Sequence, residues 1–111
     1  MNINETAMEV ILHAGDGRLK IDQALDKMTE FKFSEAKQLL EEAEKDIVQA
    51  HVAQTKVIQG QVSGEEVEYS LLFVHAQDTI MTINTELRMT QKMLPIFEAM
   101  EKKMERGETN A

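Results

Sequence analysis

The chain has no cysteine and no tryptophan, and only one proline and five glycines among its 111 residues. Without cysteine it can form neither a disulfide framework nor a thiolate metal site, and it suits a reducing compartment. No stretch approaches the roughly 20 apolar residues needed to cross a bilayer. Residues 1–5 also lack the basic start and apolar run of a secretory signal. We therefore expect a cytoplasmic protein that does not insert into membranes.

The charge is strongly one-sided, with 20 acidic and 12 basic residues and a formal net charge of -8. Such a surface repels nucleic acid and anionic lipid, and it favours encounter with a basic protein partner. An ordinary solvated acidic surface would have the same composition. A chain of this length predicts a single domain spanning 1–111, whose modest core would gain from oligomerisation.

Helix-forming residues fill the sequence, which predicts an all-α protein. Apolar positions recur with helical spacing in three segments, and this pattern indicates a three-helix up-down-up subunit, an antiparallel bundle. The first segment is marked by Met8, Ile11, Leu12, Leu19, Leu25 and Met28. The predicted helices cover approximately 5–30, 34–59 and 64–104, followed by a polar tail at 105–111.

Residues that favour helix ends set these boundaries. Asn4 and Ser34 are good N-caps for the first two helices, and Ser63 with Glu66 has the spacing of a capping box for the third. Two glycines close together in the first helix predict a kink or a close helix approach. Pro95 is expected to kink or break the third helix.

The third helix is apolar on two sides. One stripe is expected to face the core: Tyr69, Phe73, Ala76, Ile80, Ile83, Leu87 and Leu94. The other consists of Leu71, Val74, Met81 and Met89, with Asp78 and Thr85 embedded in it. A three-helix subunit can bury only one face well, so the second stripe is a candidate subunit interface.

His75 is the strongest candidate for chemistry. Helical geometry places it beside Asp78, Thr79 and Thr82, at the margin of the core stripe. A histidine that attacks phosphorus needs a neutral ring nitrogen, little competing water and donors for the phosphoryl oxygens. By spacing alone, a surface histidine or a hydrogen-bonded core histidine is the simpler explanation of this residue.

Three motifs in order give the chain a family resemblance over roughly residues 8–93. His75 begins a His-Ala-Gln-Asp motif, preceded by Ala14-Gly15-Asp16-Gly17-Arg18 and by Ala50-His51-Val52-Ala53-Gln54-Thr55. The chain thereby resembles the enzyme IIA component of the lactose/cellobiose class of the bacterial phosphoenolpyruvate-dependent sugar phosphotransferase system. The resemblance implies a homotrimeric phosphotransferase component that acts in the uptake of a β-linked disaccharide. It would accept a phosphoryl group from the histidine-containing phosphocarrier protein and pass it to enzyme IIB.

The resemblance also implies roles for individual residues. His75 would carry the phosphoryl group, and Gln77 and Thr79 are candidate phosphate contacts. Helical rotation turns Gln77 away from His75, so it could serve only a neighbouring subunit's site. Asp78 would help to hold one Mg²⁺ per trimer at the threefold axis; the alternative is an aspartate that faces solvent beside the phosphate site.

One departure from the family keeps a second function open. Many members carry a second histidine where this chain has Thr79, and a hydroxyl can donate a hydrogen bond but cannot carry positive charge. The alternative is a non-catalytic helical trimer that regulates a partner. The sugar is not predicted, and lactose, cellobiose and chitobiose all fit.

Three other polar residues have simpler interpretations. His51 is expected to pack with Gln54 and Thr55, although its motif also makes it a candidate for the active site. His13 is expected at the surface or an interface. Arg18 could bind phosphate with its charged fork, but acidic neighbours such as Asp16 offer ordinary surface partners.

Overall fold

The computed structural model describes residues 2–107 and contains three helices. They are α1 (Ile3–Thr29), α2 (Phe33–Val62) and α3 (Leu71–Glu105), and no strand occurs within the described range. The predicted all-α, three-helix architecture is confirmed. No helix in that range is long and apolar enough to cross a membrane.

Polar contacts between the helices fix their directions. α1 and α2 are antiparallel, because residue numbers increase along α1 while those of the contacted residues on α2 decrease. α1 and α3 are parallel, because residue numbers increase together in the two contacts between these helices. The contacts are Lys20–Asp46 and Lys27–Glu35 between α1 and α2, and Asn4–Ser70 and Arg18–Glu86 between α1 and α3.

Lys20–Asp46 is the shorter of the two ion pairs between α1 and α2. Lys20 Nζ donates to Asp46 Oδ2 at 2.7 Å. This hydrogen bond, reinforced by the charge of the carboxylate, raises the pKa of Lys20 above its usual value of 10.5. The ammonium therefore stays charged throughout the neutral range and holds the two helices in register.

Small residues form much of the core, so the helices pack closely. Along α2 the buried positions follow one another in steps of three or four residues, which is the spacing of one helix face. On α1 buried alanines occupy the core face, whereas the larger Met8, Leu12 and Leu19 are exposed. The buried side chains of α2 are Phe33, Ala36, Leu40, Ala43, Ile47, Ala50, Ala53 and Val57.

Gly17 is where the expected close approach occurs. A Cβ atom on Gly17 would lie 3.2 Å from Ile47 Cγ1 and 3.3 Å from the carbonyl oxygen of Ala43. Gly15, two residues earlier, has open space around it. The absence of a side chain at Gly17 therefore lets α1 pack tightly on α2.

The predicted caps of α1 and α2 are each wrong by two positions. Asn2 caps α1, because its Oδ1 accepts hydrogen bonds from the amides of Asn4 and Glu5. The side chain of Asn4 instead accepts a 2.7 Å bond from Ser70 at the start of α3. α2 begins after Lys32, which makes no side-chain capping bond, rather than at Ser34.

The predicted start of α3 at residue 64 is also wrong. Ser63 is the C-cap of α2, and its hydroxyl donates to the Gln59 carbonyl. Residues 65–70 form the connection, and Tyr69 within it is 83% exposed instead of buried. Ser70 is the true cap, because its hydroxyl accepts a hydrogen bond from the Phe73 amide.

Pro95 does not break α3, which continues to Glu105. The helix is supported there by α2: Leu94 is buried, and Pro95 lines a groove that also includes Lys37 and Leu40. Packing of this kind offsets the missing backbone hydrogen bond of the proline. The predicted tail lies outside the described residues from position 108 onward.

Candidate functional site

His75 lies in the second turn of α3, on the exposed side of the helix. Its neighbours Phe73 and Ala76 are buried in the core and fix the rotation of the helix. The imidazole lines a shallow depression of about 240 Å³ on the surface of the bundle. The other residues lining this depression are Arg18, Asp78, Thr79 and Thr82.

The threonine hydroxyls in this depression are already engaged. Thr79 Oγ1 donates to the carbonyl oxygen of His75 at 2.8 Å, and Thr82 Oγ1 donates to that of Asp78 at the same distance. A hydroxyl has a single proton to donate. Neither hydroxyl therefore offers a free hydrogen bond to an anion in this conformation, although each oxygen can still accept one.

Arg18 brings positive charge to the depression from α1. Its Nη2 donates to Glu86 Oε2 at 2.6 Å and its Nε to Glu86 Oε1 at 3.3 Å, which makes a two-point contact. The sequence suggested nearby acidic residues such as Asp16 as partners, but the actual partner lies on α3. The sequence offered Arg18 as a candidate phosphate contact but did not place it beside His75, since only the parallel packing of α1 and α3 brings the two residues to one depression.

Gln77 and Asp78 are placed differently relative to His75. Gln77 is half-buried and does not line the depression of its own chain, as its rotation around the helix requires. Asp78 lines the depression and is exposed in the single chain. No group of three or more histidine, aspartate or glutamate side chains that could hold a metal ion occurs in residues 2–107.

Similarity to known proteins settles the family. The profile of the family described as "PTS system, Lactose/Cellobiose specific IIA subunit" matches residues 5–108. The chain belongs to this family. It is 39% identical over 85 residues to the lactose-specific EIIA component of Staphylococcus epidermidis, a match that covers 74% of this chain and 82% of the relative.

Solved structures of IIA proteins share the fold. The cellobiose-specific enzyme IIA of Bacillus anthracis superposes with a TM-score of 0.87 at 29% identity, covering 93% of this chain and 94% of the other. The IIA(Chitobiose)–HPr complex of the Escherichia coli phosphotransferase system gives a TM-score of 0.78 at 26% identity, with 91% and 98% covered. This IIA chain therefore shares its three-helix fold with IIA proteins whose names refer to different sugars.

The remaining histidines of this IIA chain lie away from the depression. His13 is on α1, with its Nε2 3.9 Å from Glu9 Oε1, and it lines a separate groove with Met8 and Leu12. His51 is half-buried on α2. Gln54, which belongs to the same motif, has a buried side-chain oxygen without a hydrogen-bond partner. This oxygen therefore makes no hydrogen bond to His51.

Proposed function

We propose that this IIA chain is a phosphocarrier whose His75 accepts a phosphoryl group from the histidine-containing phosphocarrier protein, HPr, and donates it to enzyme IIB. The observation that carries the proposal is the exposed imidazole of His75 in a depression that also contains the guanidinium-bearing Arg18. An accessible nucleophile beside a cation suits transfer of an anionic group. Membership of the IIA family supplies the reaction class.

The transfer needs little acid–base chemistry. A lone pair of the neutral His75 ring forms a nitrogen–phosphorus bond while the nitrogen–phosphorus bond of the donor breaks, and its electron pair returns to the donor ring. If the donor is a phosphoimidazolium, it leaves as neutral imidazole and His75 becomes the phosphoimidazolium, so no proton has to move. The site's contribution is positioning and neutralisation of the three equatorial oxygens.

The two other residues predicted to contact the phosphoryl group, Thr79 and Gln77, can do so only after a change in the structure of the single chain. Thr79 can donate to a phosphoryl oxygen only after its hydroxyl leaves the His75 carbonyl. Gln77 can contact a phosphoryl group only on a neighbouring chain, since it does not line the depression of its own chain. Both contacts are therefore proposed to form when the chain assembles or is phosphorylated.

HPr and IIB are the proposed partners in the cytoplasm. A related IIA protein forms a complex with HPr in the chitobiose branch of the Escherichia coli system. The net charge of -8 favours approach to a basic partner surface and makes the encounter dependent on salt. The sugar is left open, because similar proteins handle lactose, cellobiose and chitobiose systems.

A homotrimer is the proposed assembly. The second apolar stripe of α3 is unburied in the single chain, and Leu71 and Met81 are 70% and 64% exposed. Leu12 and Leu19 add exposed apolar surface on the neighbouring α1. Burying both helices against other copies would remove this surface from water.

Magnesium at Asp78 is proposed only for the assembled trimer. One chain offers a single carboxylate there, but three copies meeting at an axis would provide the oxygen ligands that Mg²⁺ prefers. The ion would neutralise the gathered carboxylates. Added Mg²⁺ should then raise the melting temperature of the wild type and leave that of Asp78→Asn unchanged.

The carrier role is tested with purified proteins. The chain is incubated with phosphoenolpyruvate, enzyme I and HPr, and its intact mass is measured at neutral pH before and after IIB is added. We expect one added phosphoryl group that is lost to IIB, none in His75→Gln, and normal labelling in His51→Gln. Stable HPr binding without any mass gain would instead support the non-catalytic regulatory trimer.

A further inference from the structure

We infer that Arg18 is a phosphoryl-binding residue: once His75 carries the phosphoryl group, the Arg18 guanidinium releases Glu86 and binds the phosphoryl oxygens. The inference rests on the proposed function of His75 and adds a residue from another helix to its site. Three observations support it. Few hydrogen-bond donors in the depression are free, a phosphoryl group would need a neighbouring cation, and the Arg18–Glu86 ion pair is open to water.

Arg18 is the best remaining donor in the depression. The hydroxyls of Thr79 and Thr82 already donate to α3 carbonyls, and the carboxylate of Asp78 only accepts hydrogen bonds. The guanidinium of Arg18 carries five N–H groups in a planar fork that matches phosphate oxygens. Arg18 would therefore supply the charged donors for a phosphoryl dianion on His75 in the same chain, beside the one bond that Thr79 can donate once its hydroxyl leaves the His75 carbonyl.

The charge around the depression also requires a cation. Phosphorylation adds roughly two negative charges to the depression, and these come on top of the Asp78 carboxylates that the proposed Mg²⁺ would neutralise. Arg18 is the only lysine or arginine that lines the depression in the described chain. Its charge is at present shared with Glu86, so the phosphoryl group gains full neutralisation only if this ion pair opens.

The present contact is weak enough to exchange. The side chains of Arg18 and Glu86 are 43% and 37% exposed, and an ion pair so open to water contributes little to stability. Glu86 lies eleven residues after His75, or about 16 Å along α3. Arg18 contacts Glu86 and also lines the depression that contains His75, so its side chain must swing towards His75 to make the new contact.

Substitution at Arg18 tests this exchange. We measure the equilibrium distribution of phosphoryl groups between HPr and the chain for the wild type, Arg18→Gln, Arg18→Lys and Glu86→Gln. Arg88→Gln removes the same charge elsewhere on α3 and is the matched control. Loss of one charge-assisted contact in Arg18→Gln should lower the equilibrium constant about tenfold, with Arg18→Lys intermediate. Glu86→Gln should leave acceptance equal to or greater than that of the wild type, because it frees Arg18.

A second readout does not depend on HPr. Phosphoramidate phosphorylates histidines chemically, and the ¹⁵N NMR signal of Arg18 Nε–H is compared before and after labelling of the wild type and His75→Gln. The signal should shift only when His75 is present, and that of Arg88 should not shift. If HPr fails to phosphorylate the wild type but this signal shifts, the carrier role fails and the Arg18 inference stands.

Two results would overturn the inference. One is an equilibrium constant for Arg18→Gln that equals that of Arg88→Gln while the wild type is phosphorylated normally. The other is an Arg18 signal that does not respond to a phosphoryl group on His75. Either result would leave Arg18–Glu86 as an ordinary ion pair between α1 and α3.

Discussion

Gly15 and Gly17 differ in their surroundings although both lie in the same turn of α1. A Cβ atom added to Gly15 would meet no neighbouring atom, so alanine there adds helix propensity without a clash. We expect Gly15→Ala to raise the free energy of unfolding by about 0.5–1 kcal/mol. At Gly17 a Cβ would press on Ile47 and on the Ala43 carbonyl. The strain of roughly 1 kcal/mol should cancel the gain, leaving Gly17→Ala neutral or destabilising.

Urea denaturation of the two variants beside the wild type measures this difference. Because both substitutions add the same methyl group to the same helix, the comparison isolates the packing at Gly17. Equal stabilisation by Gly15→Ala and Gly17→Ala would show that α1 and α2 can move apart at no cost.

Single residues were predictable where one helix determines their neighbours. His75, Asp78 and Thr79 share a side of α3 because helical rotation fixes that spacing, and the sequence suffices to place them together. Arg18 joins them across the bundle, with a partner 68 positions away, so no local pattern could reveal it. The engagement of the Thr79 hydroxyl with the His75 carbonyl likewise depends on a side-chain conformation rather than on spacing.

At the scale of the helices, Ser70 controls where α3 begins. Its hydroxyl caps the Phe73 amide and also donates to Asn4 of α1. Ser70→Ala should therefore lower the free energy of unfolding by about 1–2 kcal/mol. Ser63→Ala is the matched control, because the exposed Ser63 hydroxyl only donates to a carbonyl of α2, and it should change stability by less than about 0.5 kcal/mol.

The same pair of variants decides between the two possible starts of α3. Chemical denaturation gives the stabilities, and amide exchange at Phe73 reports the first turn directly. A larger loss in Ser63→Ala than in Ser70→Ala would contradict the start at Leu71 and would favour the capping box at Ser63.

The existence of the helices was predictable, but the positions at which they start were not. Ser63 and Glu66 have capping-box spacing, yet this segment ends α2, with Gly64 at a positive φ of 94° that suits a residue without a side chain. Signals for stopping one helix and starting the next use the same small and polar residues. The contact between Asn4 and Ser70 resolves the ambiguity, and it comes from tertiary packing that the local sequence does not contain.

At the scale of the whole molecule, the exposed apolar face of α3 makes assembly testable. Met81→Lys places a charge in the centre of the proposed interface, where burial of an unpaired ammonium is costly. Sedimentation velocity should show a trimer for the wild type and a smaller species for Met81→Lys. Val48→Lys is the matched control, because Val48 is a 50% exposed apolar residue on α2, outside the proposed interface.

The sedimentation result has a clear contrary outcome. A wild-type chain that sediments as a monomer, or a trimer that Val48→Lys disrupts and Met81→Lys does not, would contradict the assignment of this face. The proposed magnesium site at Asp78 would then lose its basis as well, since one chain supplies a single carboxylate there.

The helical periodicity of the sequence predicts the three-helix bundle, but it does not predict which apolar face of each helix is buried in the core and which is exposed. The core stripe of α3 was predicted apart from Tyr69, since six of its seven members are buried. On α1 the large apolar residues Met8, Leu12 and Leu19 are exposed, whereas three alanines and a glycine are among the seven residues that α1 buries. Hydrophobicity alone cannot distinguish a residue of the subunit core from one reserved for an interface.

Histidine side-chain ¹⁵N NMR identifies which residue of the chain carries the phosphoryl group. The three histidines of the chain are resolved by His→Gln variants, and spectra are recorded before and after phosphorylation through HPr. We predict that the ring nitrogens of His75 shift to phosphohistidine values while those of His13 and His51 do not change. A shift at His13 or His51 with His75 unchanged, or no shift at any histidine, would contradict the account.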